Sequence, residues 1–343
     1  MKIIVLGAGA IGLVFGGFLA KAGHQVVFLG REEHVSAVKR HGLFIEGLWG
    51  NHLINNIAGY TNLTELKEKE GALCDLVFLT VKSYDTENML KAFHETFANP
   101  VPILSLQNGL GNLDKIIHII GPAWAMAGRV IFGAEIGSPG RVSVTVYAEE
   151  VIVGGIENGI DYQRVMEVAN TLSNGGIPTL PTREIKKYIW GKVLYNAALN
   201  GLGAILGVNY GFLREHESSR MLIASIVQEF FMVLEKENLT VDWPTPGAYL
   251  DDLFERLIPA THDHYPSMLR DIQNRKRTEI DSINGALIEI AQKHGIDVPV
   301  NWLITNLVKT KEKIKVSLKT RSKATAGTYK NSSLILKKII VWM

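Results

Sequence analysis

The sequence predicts an α/β Rossmann-type N-terminal domain with antiparallel edge strands, followed by an all-α C-terminal domain. Three observations predict it. A glycine-rich turn, Gly7-Ala8-Gly9-Ala10-Ile11-Gly12, sits between a short apolar strand and an apolar helix. Strands and helices then alternate, which implies a parallel sheet with right-handed crossovers. Beyond about residue 183 the apolar period is helical throughout.

Lys2–Leu6 reads as the first strand. The uncharged run 3–20 has the length of a secretory signal or a marginal membrane span. Gly7, Gly9, Gly12, Gly16 and Gly17 weaken a free helix there. The run is therefore read as strand, turn and a helix over 10–22 ended by Gly23. Gln25–Leu29, Asp75–Val81 and Val101–Ser105 read as further apolar strands, and Thr86–Phe97 as a helix. Leu43–Ile57 reads as a hairpin or an irregular crossover. From Met126 to Gly154, three β-rich runs punctuated by Gly and Pro suggest antiparallel strands at the sheet edge. Tyr162–Ser173 reads as a closing helix. After a hinge near 175–183, the helical candidates are Glu184–Leu206, Arg220–Glu237, Gly247–Leu257 and Thr278–His294. The expected domains are 1–178 and 179–315, with a basic tail over 316–343.

Composition narrows the function classes. Apolar residues make up 47% of 343 and charged residues 20%, enough for a sizeable core and incompatible with dominant disorder. A single cysteine, Cys74, excludes a disulfide framework and any Cys-rich zinc or iron–sulfur site, so no metal is expected. It fits a reducing, cytoplasmic setting. The net charge of +2 hides an asymmetry: Lys309–Met343 holds ten Lys/Arg and one acid, leaving 26 basic against 33 acidic residues in 1–308. That acidic body argues against nucleic-acid binding. The tail reads as a solvated basic extension. Neither a nucleic-acid nor a membrane partner is expected, and the sequence leaves open whether the chain is a monomer or a homodimer.

The glycine turn carries the first chemistry. The first glycine permits the tight turn, the second lets backbone approach a pyrophosphate, and the third allows close helix–strand packing. Phosphates then meet free N–H groups at the helix start. NAD enzymes usually place an acid about twenty residues on, at the end of the second strand. Here Leu29-Gly30 leads to Arg31, whose guanidinium suits a 2′-phosphate. NADP(H) is therefore expected, with Glu32 and Glu33 as competing acids. Lys82 and Asn108 stand at later strand ends, which face the ligand crevice in such sheets. The Asn108 amide can both donate and accept.

Lys192, Asn196 and Asn200 are spaced i, i+4, i+8 and share one face of a helix whose other residues are apolar. A largely buried polar stripe of this kind usually serves a site. Glu279 is a natural counterpart, since Thr278 and Asp281 resemble a capping box. Ser267 reads as the N-cap of an earlier helix. One unbroken helix would separate Ser267 from Glu279 by about 18 Å, so a bend near Arg275-Lys276-Arg277 is expected.

The motifs GAGAIG at 7–12, VKSYDT at 81–86, QNGLGN at 107–112, WGKVLYNAALN at 190–200 and PSMLRDIQNRKRTEIDSING at 266–285 occur together. On these the sequence resembles the ketopantoate reductase (2-dehydropantoate 2-reductase) family over roughly residues 1–310. The resemblance implies NADPH-dependent reduction of 2-dehydropantoate to (R)-pantoate. It places cofactor contacts on Gly7, Ala8, Gly9, Ala10, Ile11, Gly12, Arg31 and Ala134, and Lys82 joins them as a cofactor contact from its place at a strand end. It places the proton donor on Lys192 and substrate contacts on Asn196, Asn200 and Ser267. Asn108 and Glu279 fall on positions that bridge cofactor and substrate, with Glu279 also in the catalytic set. One departure is Tyr210, with Asn209 beside it, where some members carry a substrate-side asparagine. The alternatives are a reductase of another 2-oxo or 3-hydroxy acid, and a non-catalytic NADP-binding sensor, which the joint presence of Lys192 and Glu279 disfavours.

Overall fold

The computed structural model describes residues 1–55 and 57–314; the expected tail over 316–343 lies outside them. Twelve strands occur among the described residues: β1 Lys2–Leu6, β2 Gln25–Leu29, β3 Leu43–Gly47, β4 His52–Ile54, β5 Ala58–Tyr60, β6 Leu76–Leu79, β7 Ile103–Ser105, β8 Ala125–Arg129, β9 Phe132–Ser138, β10 Arg141–Tyr147, β11 Val151–Gly154 and β12 Thr179–Thr182. Eight of them form one sheet in the order β12-β11-β8-β7-β6-β1-β2-β5. All pairs in it are parallel except β11 with β8. Because successive side chains alternate between faces, Ile3 and Val5 of β1 enter one core and Ile4 and Leu6 the other. Burial on both faces explains why these strands are apolar throughout rather than alternating.

Helix α1 (Ala10–Lys21) covers one face, while α2 (Glu32–His41) follows β2. The helices α3 (Leu63–Glu70), α4 (Thr86–Phe97) and α5 (Asn112–Ile119) cover the other face, and α6 (Tyr162–Asn174) returns to the α1 side. The uncharged run 3–20 is thus strand, turn and helix inside a sheet domain. No helix among the described residues is long and apolar enough to cross a membrane.

The β-rich stretch is shared between two sheets. β11 runs antiparallel to β8, but β8 itself continues the parallel array. β9 and β10 pair antiparallel in a second sheet, order β4-β3-β10-β9, whose Leu43, Ile45, Val142 and Val144 pack with α1 in one core. The Leu43–Ile57 segment supplies its β3–β4 hairpin. β12, not announced by any apolar period, pairs with β11 and forms the margin of the large sheet. Its half-exposed Leu180 and its proline, Pro181, conceal it; proline is tolerated on an edge strand.

The second half is helical: α7 (Ile185–Leu206), α8 (Tyr210–Glu215), α9 (Glu217–Lys236), α10 (Pro246–Asp252), α11 (Ile258–Ala260), α12 (Ser267–Gln273), α13 (Asn284–Lys293) and a helix over 299–314 that the sequence reading did not anticipate. From Val193 to Ala204, α7 is buried nearly all round, as expected of a helix without an amphipathic stripe. The expected bend is present, with Arg275 at φ 57°. Two local expectations fail. Thr278 and Asp281 form no capping box: Thr278 Oγ1 accepts from Ile280 N at 3.3 Å, and Asp281 pairs with Arg277 and Lys309 at 2.9 and 2.6 Å. Ion pairing thus takes the carboxylate away from the helix start, and a 3-10 turn, Ile280–Ser282, precedes α13. Ser267 is the first helical residue, after Pro266, and makes no capping bond.

Candidate active site

The glycine loop is built for close approach. Gly7 has φ 119°, and a Cβ there would lie 2.6 Å from Val81 N. A Cβ on Gly12 would lie 2.1 Å from Gly7 O, so the helix can start this close to the strand only without a side chain. Gly9 differs: it caps α1 in extended conformation, and a Cβ would meet nothing within 4 Å. It therefore borders open space at a helix start that carries no acidic first-turn residue and no side-chain cap. Free N–H groups beside an open cradle fit an anionic diphosphate.

The ends of β6 and β7 form the next wall. Gln107 Nε2 donates to Val81 O and Thr86 Oγ1, both at 2.7 Å, and Thr86 Oγ1 donates to Asn112 Oδ1 at 2.9 Å. Asn112 Nδ2 returns to Asn108 O at 3.0 Å. This network pins the 107–112 loop and leaves the half-buried Asn108 side chain without a partner among the described residues. Leu110 N donates to Ser282 O at 2.8 Å, so the helical domain rests directly on that loop.

Charged groups tie the two halves across the crevice. Lys82 Nζ lies 2.7 Å from Asp271 Oδ2 and 3.4 Å from Glu279 Oε2. Glu279 Oε1 accepts from Ser83 N at 3.0 Å, the Ser83 and Ser282 hydroxyls meet at 2.8 Å, and Arg270 pairs with Glu135. Burial would pull the Lys82 ammonium down, but the Glu279 and Asp271 carboxylates outweigh it and push it up to about 12. Burial raises Asp271, with Lys82 opposing.

Lys192, on α7, lies near enough to Arg129 and Glu279 to feel both charges. Burial and the nearby Arg129 guanidinium draw its ammonium down to about 8, partly offset by Glu279. It has no hydrogen-bond or ion-pair partner among the described residues. Asn196, 8% exposed, likewise has no side-chain partner among them. Asn200 Oδ1 accepts from the Tyr210 hydroxyl at 2.8 Å. Buried polar groups are nearly always paired, so this stripe is unusual and suits a bound polar molecule.

The remaining expected site residues lie on other elements. Exposed Ser267 follows Pro266, which packs against α7 at Gly203. Ala134 lies on β9 in the second sheet, half-buried and next to Glu135. Arg31 stands apart, largely exposed, 3.5 Å from Glu33. Sequence reasoning did not single out two charged neighbours. Asp271 lies one helical turn after Ser267, a spacing that points both the same way. Arg129 ends β8 as a lone cation in an apolar stretch; it pairs with Glu149 at 2.8 Å, lies over the Tyr188 ring at 5.4 Å, and keeps a buried Nε without a partner.

A doubly wound sheet with an open glycine cradle, facing a helical domain that presents an unpaired lysine, defines a two-domain oxidoreductase. Comparison with known proteins narrows the class. Residues 3–158 match the family model "Ketopantoate reductase PanE/ApbA", and residues 184–312 match its C-terminal companion. The chain belongs to this family. It is 38% identical over 312 residues to 2-dehydropantoate 2-reductase of Aquifex aeolicus (strain VF5), covering 91% of this chain and 97% of that one. The crystal structure of 2-dehydropantoate 2-reductase from Geobacter metallireducens GS-15 superimposes with TM-score 0.82 at 26% identity, covering 90% of this chain and 99% of the other. A ternary structure of D-mandelate dehydrogenase with NADH and anilino(oxo)acetate superimposes with TM-score 0.80 at 30% identity, covering 91% and 99%.

Proposed function

We propose that the protein reduces 2-dehydropantoate to (R)-pantoate with NADPH, a step in pantothenate and coenzyme A biosynthesis. The observation that carries this reading is the unpaired Lys192 ammonium in the crevice, with Asn196 and Asn200 on the same helical face. Gly7–Gly12 would hold the diphosphate of the cofactor, with Arg31, Lys82, Asn108, Ala134 and Glu279 as further contacts. When bound, the nicotinamide supplies the hydride that adds to C2 of the substrate.

The chain's own residues do the rest. Lys192 polarises the C2 carbonyl oxygen and gives it a proton as negative charge develops there; a positioned general acid contributes about 10²–10⁴-fold. Its lowered proton affinity brings it closer to working pH, where a proton donor is most effective. Asn196, Asn200 and Asn108 orient the substrate's polar atoms, and Ser267 donates to its carboxylate. Glu279 accepts from the substrate hydroxyl. Arg31 suits a 2′-phosphate because its guanidinium is open to solvent and, among the described residues, has only the surface pair to Glu33 to give up.

The D-mandelate dehydrogenase likeness, with NADH, favours a second reading: a reductase of another 2-oxo acid on the same scaffold. The deciding experiment follows loss of reduced nicotinamide absorbance with 2-dehydropantoate and a panel of 2-oxo acids, using NADPH and NADH in parallel. The first reading requires 2-dehydropantoate with NADPH to give the highest kcat/KM. Equal turnover in wild type and Lys192→Ala refutes the assignment of the proton donor.

A further inference from the structure

Tyr210 opens α8, and the structure shows what its phenol does. Tyr210 is 2% exposed; its ring packs edge-on against Tyr195, centroids 5.8 Å apart, and at a tilt against His264 at 5.3 Å. Tyr195 is itself held by Thr261 through a 2.8 Å hydroxyl contact, and Tyr210 N donates to His264 O. The ring is therefore fixed from several sides. Neighbouring Asn209 is committed elsewhere, its Oδ1 accepting from Phe212 N at 2.9 Å as the cap of α8.

The Tyr210 hydroxyl donates to Asn200 Oδ1 at 2.8 Å. Chemistry fixes this orientation of the amide. A phenol has one hydrogen to donate. Were the Asn200 amide turned round, its NH₂ would face the hydroxyl, and the phenolic hydrogen would be buried without an acceptor, which is costly. With Oδ1 directed at Tyr210, the planar amide turns its Nδ2 hydrogens the other way. That nitrogen has no acceptor among the described residues and is not sealed from solvent.

We propose that Tyr210 is a positioning residue that locks Asn200 as a hydrogen-bond donor toward the crevice, so that this subsite takes an acceptor oxygen, the carboxylate or keto oxygen of a 2-oxo acid. The inference rests on the reductase reading above. It separates Asn200 from Asn196 and Asn108, whose amides remain free to donate or accept.

A double-mutant cycle tests it. Tyr210→Phe keeps the ring and frees the amide, and KM for the 2-oxo acid should rise about tenfold, the worth of roughly one hydrogen bond. In an Asn200→Ala background the same change should alter KM by less than about twofold, because Tyr210 acts only through Asn200. KM for the hydroxy acid in the reverse direction should rise less, since a freed amide can accept from its hydroxyl. Asn200→Asp keeps an acceptor for Tyr210 but turns an anionic oxygen toward the substrate, and should raise KM more than Asn200→Ala. The dissociation constant for NADPH, read by fluorescence, reports whether the variants fold. A Tyr210→Phe effect of equal size in both backgrounds overturns the inference while leaving the reductase reading intact. A wild-type chain inert toward every 2-oxo acid in the panel overturns both.

Discussion

The Lys82 ammonium lies 2.7 Å from the Asp271 carboxylate, and the two groups come from opposite halves of the chain. Lys82 lies three residues past the end of β6 in the sheet domain; Asp271 sits on α12 of the helical domain. Glu279 shares the same ammonium at 3.4 Å. One cation thus holds two carboxylates that would otherwise repel each other.

Replacing Lys82 with Met should therefore destabilise the fold in a pH-dependent way. Without the cation, burial and the neighbouring Glu279 charge raise the folded-state affinity of the Asp271 carboxyl for protons further. A group whose folded pKa is raised loses its stabilising contribution as pH climbs through that value. The Tm deficit of Lys82→Met should be larger at pH 8 than at pH 5. Equal deficits at both would contradict the shared-cation account.

The proton donor predicts a descending limb in the rate profile. Lys192 is drawn down to about 8 from its ordinary 10.5. Only the ammonium form can donate, so kcat/KM should fall above pH of about 8. The limb belongs to the free enzyme because kcat/KM reports that state. A profile flat to pH 10 would remove Lys192 from this role.

The same lysine should cost stability. Below pH of about 8 both folded and unfolded chains carry the charge, and the folded one carries it in a site that disfavours it. Between about 8 and 10.5 the folded chain binds fewer protons, so wild-type stability rises with pH from this group. Lys192→Met should raise Tm at pH 7 while abolishing most turnover, and its advantage should shrink toward pH 10. Functional sites often trade stability in this way.

Two glycines of one motif should respond in opposite ways. Gly9→Ala places a methyl in open space, in a backbone region any residue adopts, so Tm should hold while KM for the cofactor rises. Gly12→Ala drives a methyl to 2.1 Å from Gly7 O and should lower Tm sharply. Overpacking of this kind typically costs about 1–3 kcal/mol or more. Similar Tm losses for both would contradict the division of roles.

Much of this was legible in the residues. The strands Lys2–Leu6 and Gln25–Leu29 and the helix Thr86–Phe97 follow from local apolar patterning, and their ends coincide with those in the structure. The polar stripe of α7 stood out because asparagine and lysine are rare inside an apolar helix. What escaped depended on partners distant in sequence. β12 is a strand only because β11 lies beside it. Asp281 looked like a cap until Lys309, twenty-eight positions later, came within 2.6 Å. Asp271 gained significance only through Lys82, far along the chain.

The pairing of Thr179–Thr182 with Val151–Gly154 also bears on biosynthesis. As the polypeptide leaves the ribosome, the backbone groups along the outer flank of Val151–Gly154 stay unmatched until Thr182 has emerged. An exposed flank of this kind invites pairing with another chain. A fragment cut short of Thr182 should therefore be prone to self-association even though its glycine turn and most of its sheet are complete, so the nascent chain passes through its most vulnerable stage just before the long central helix is made.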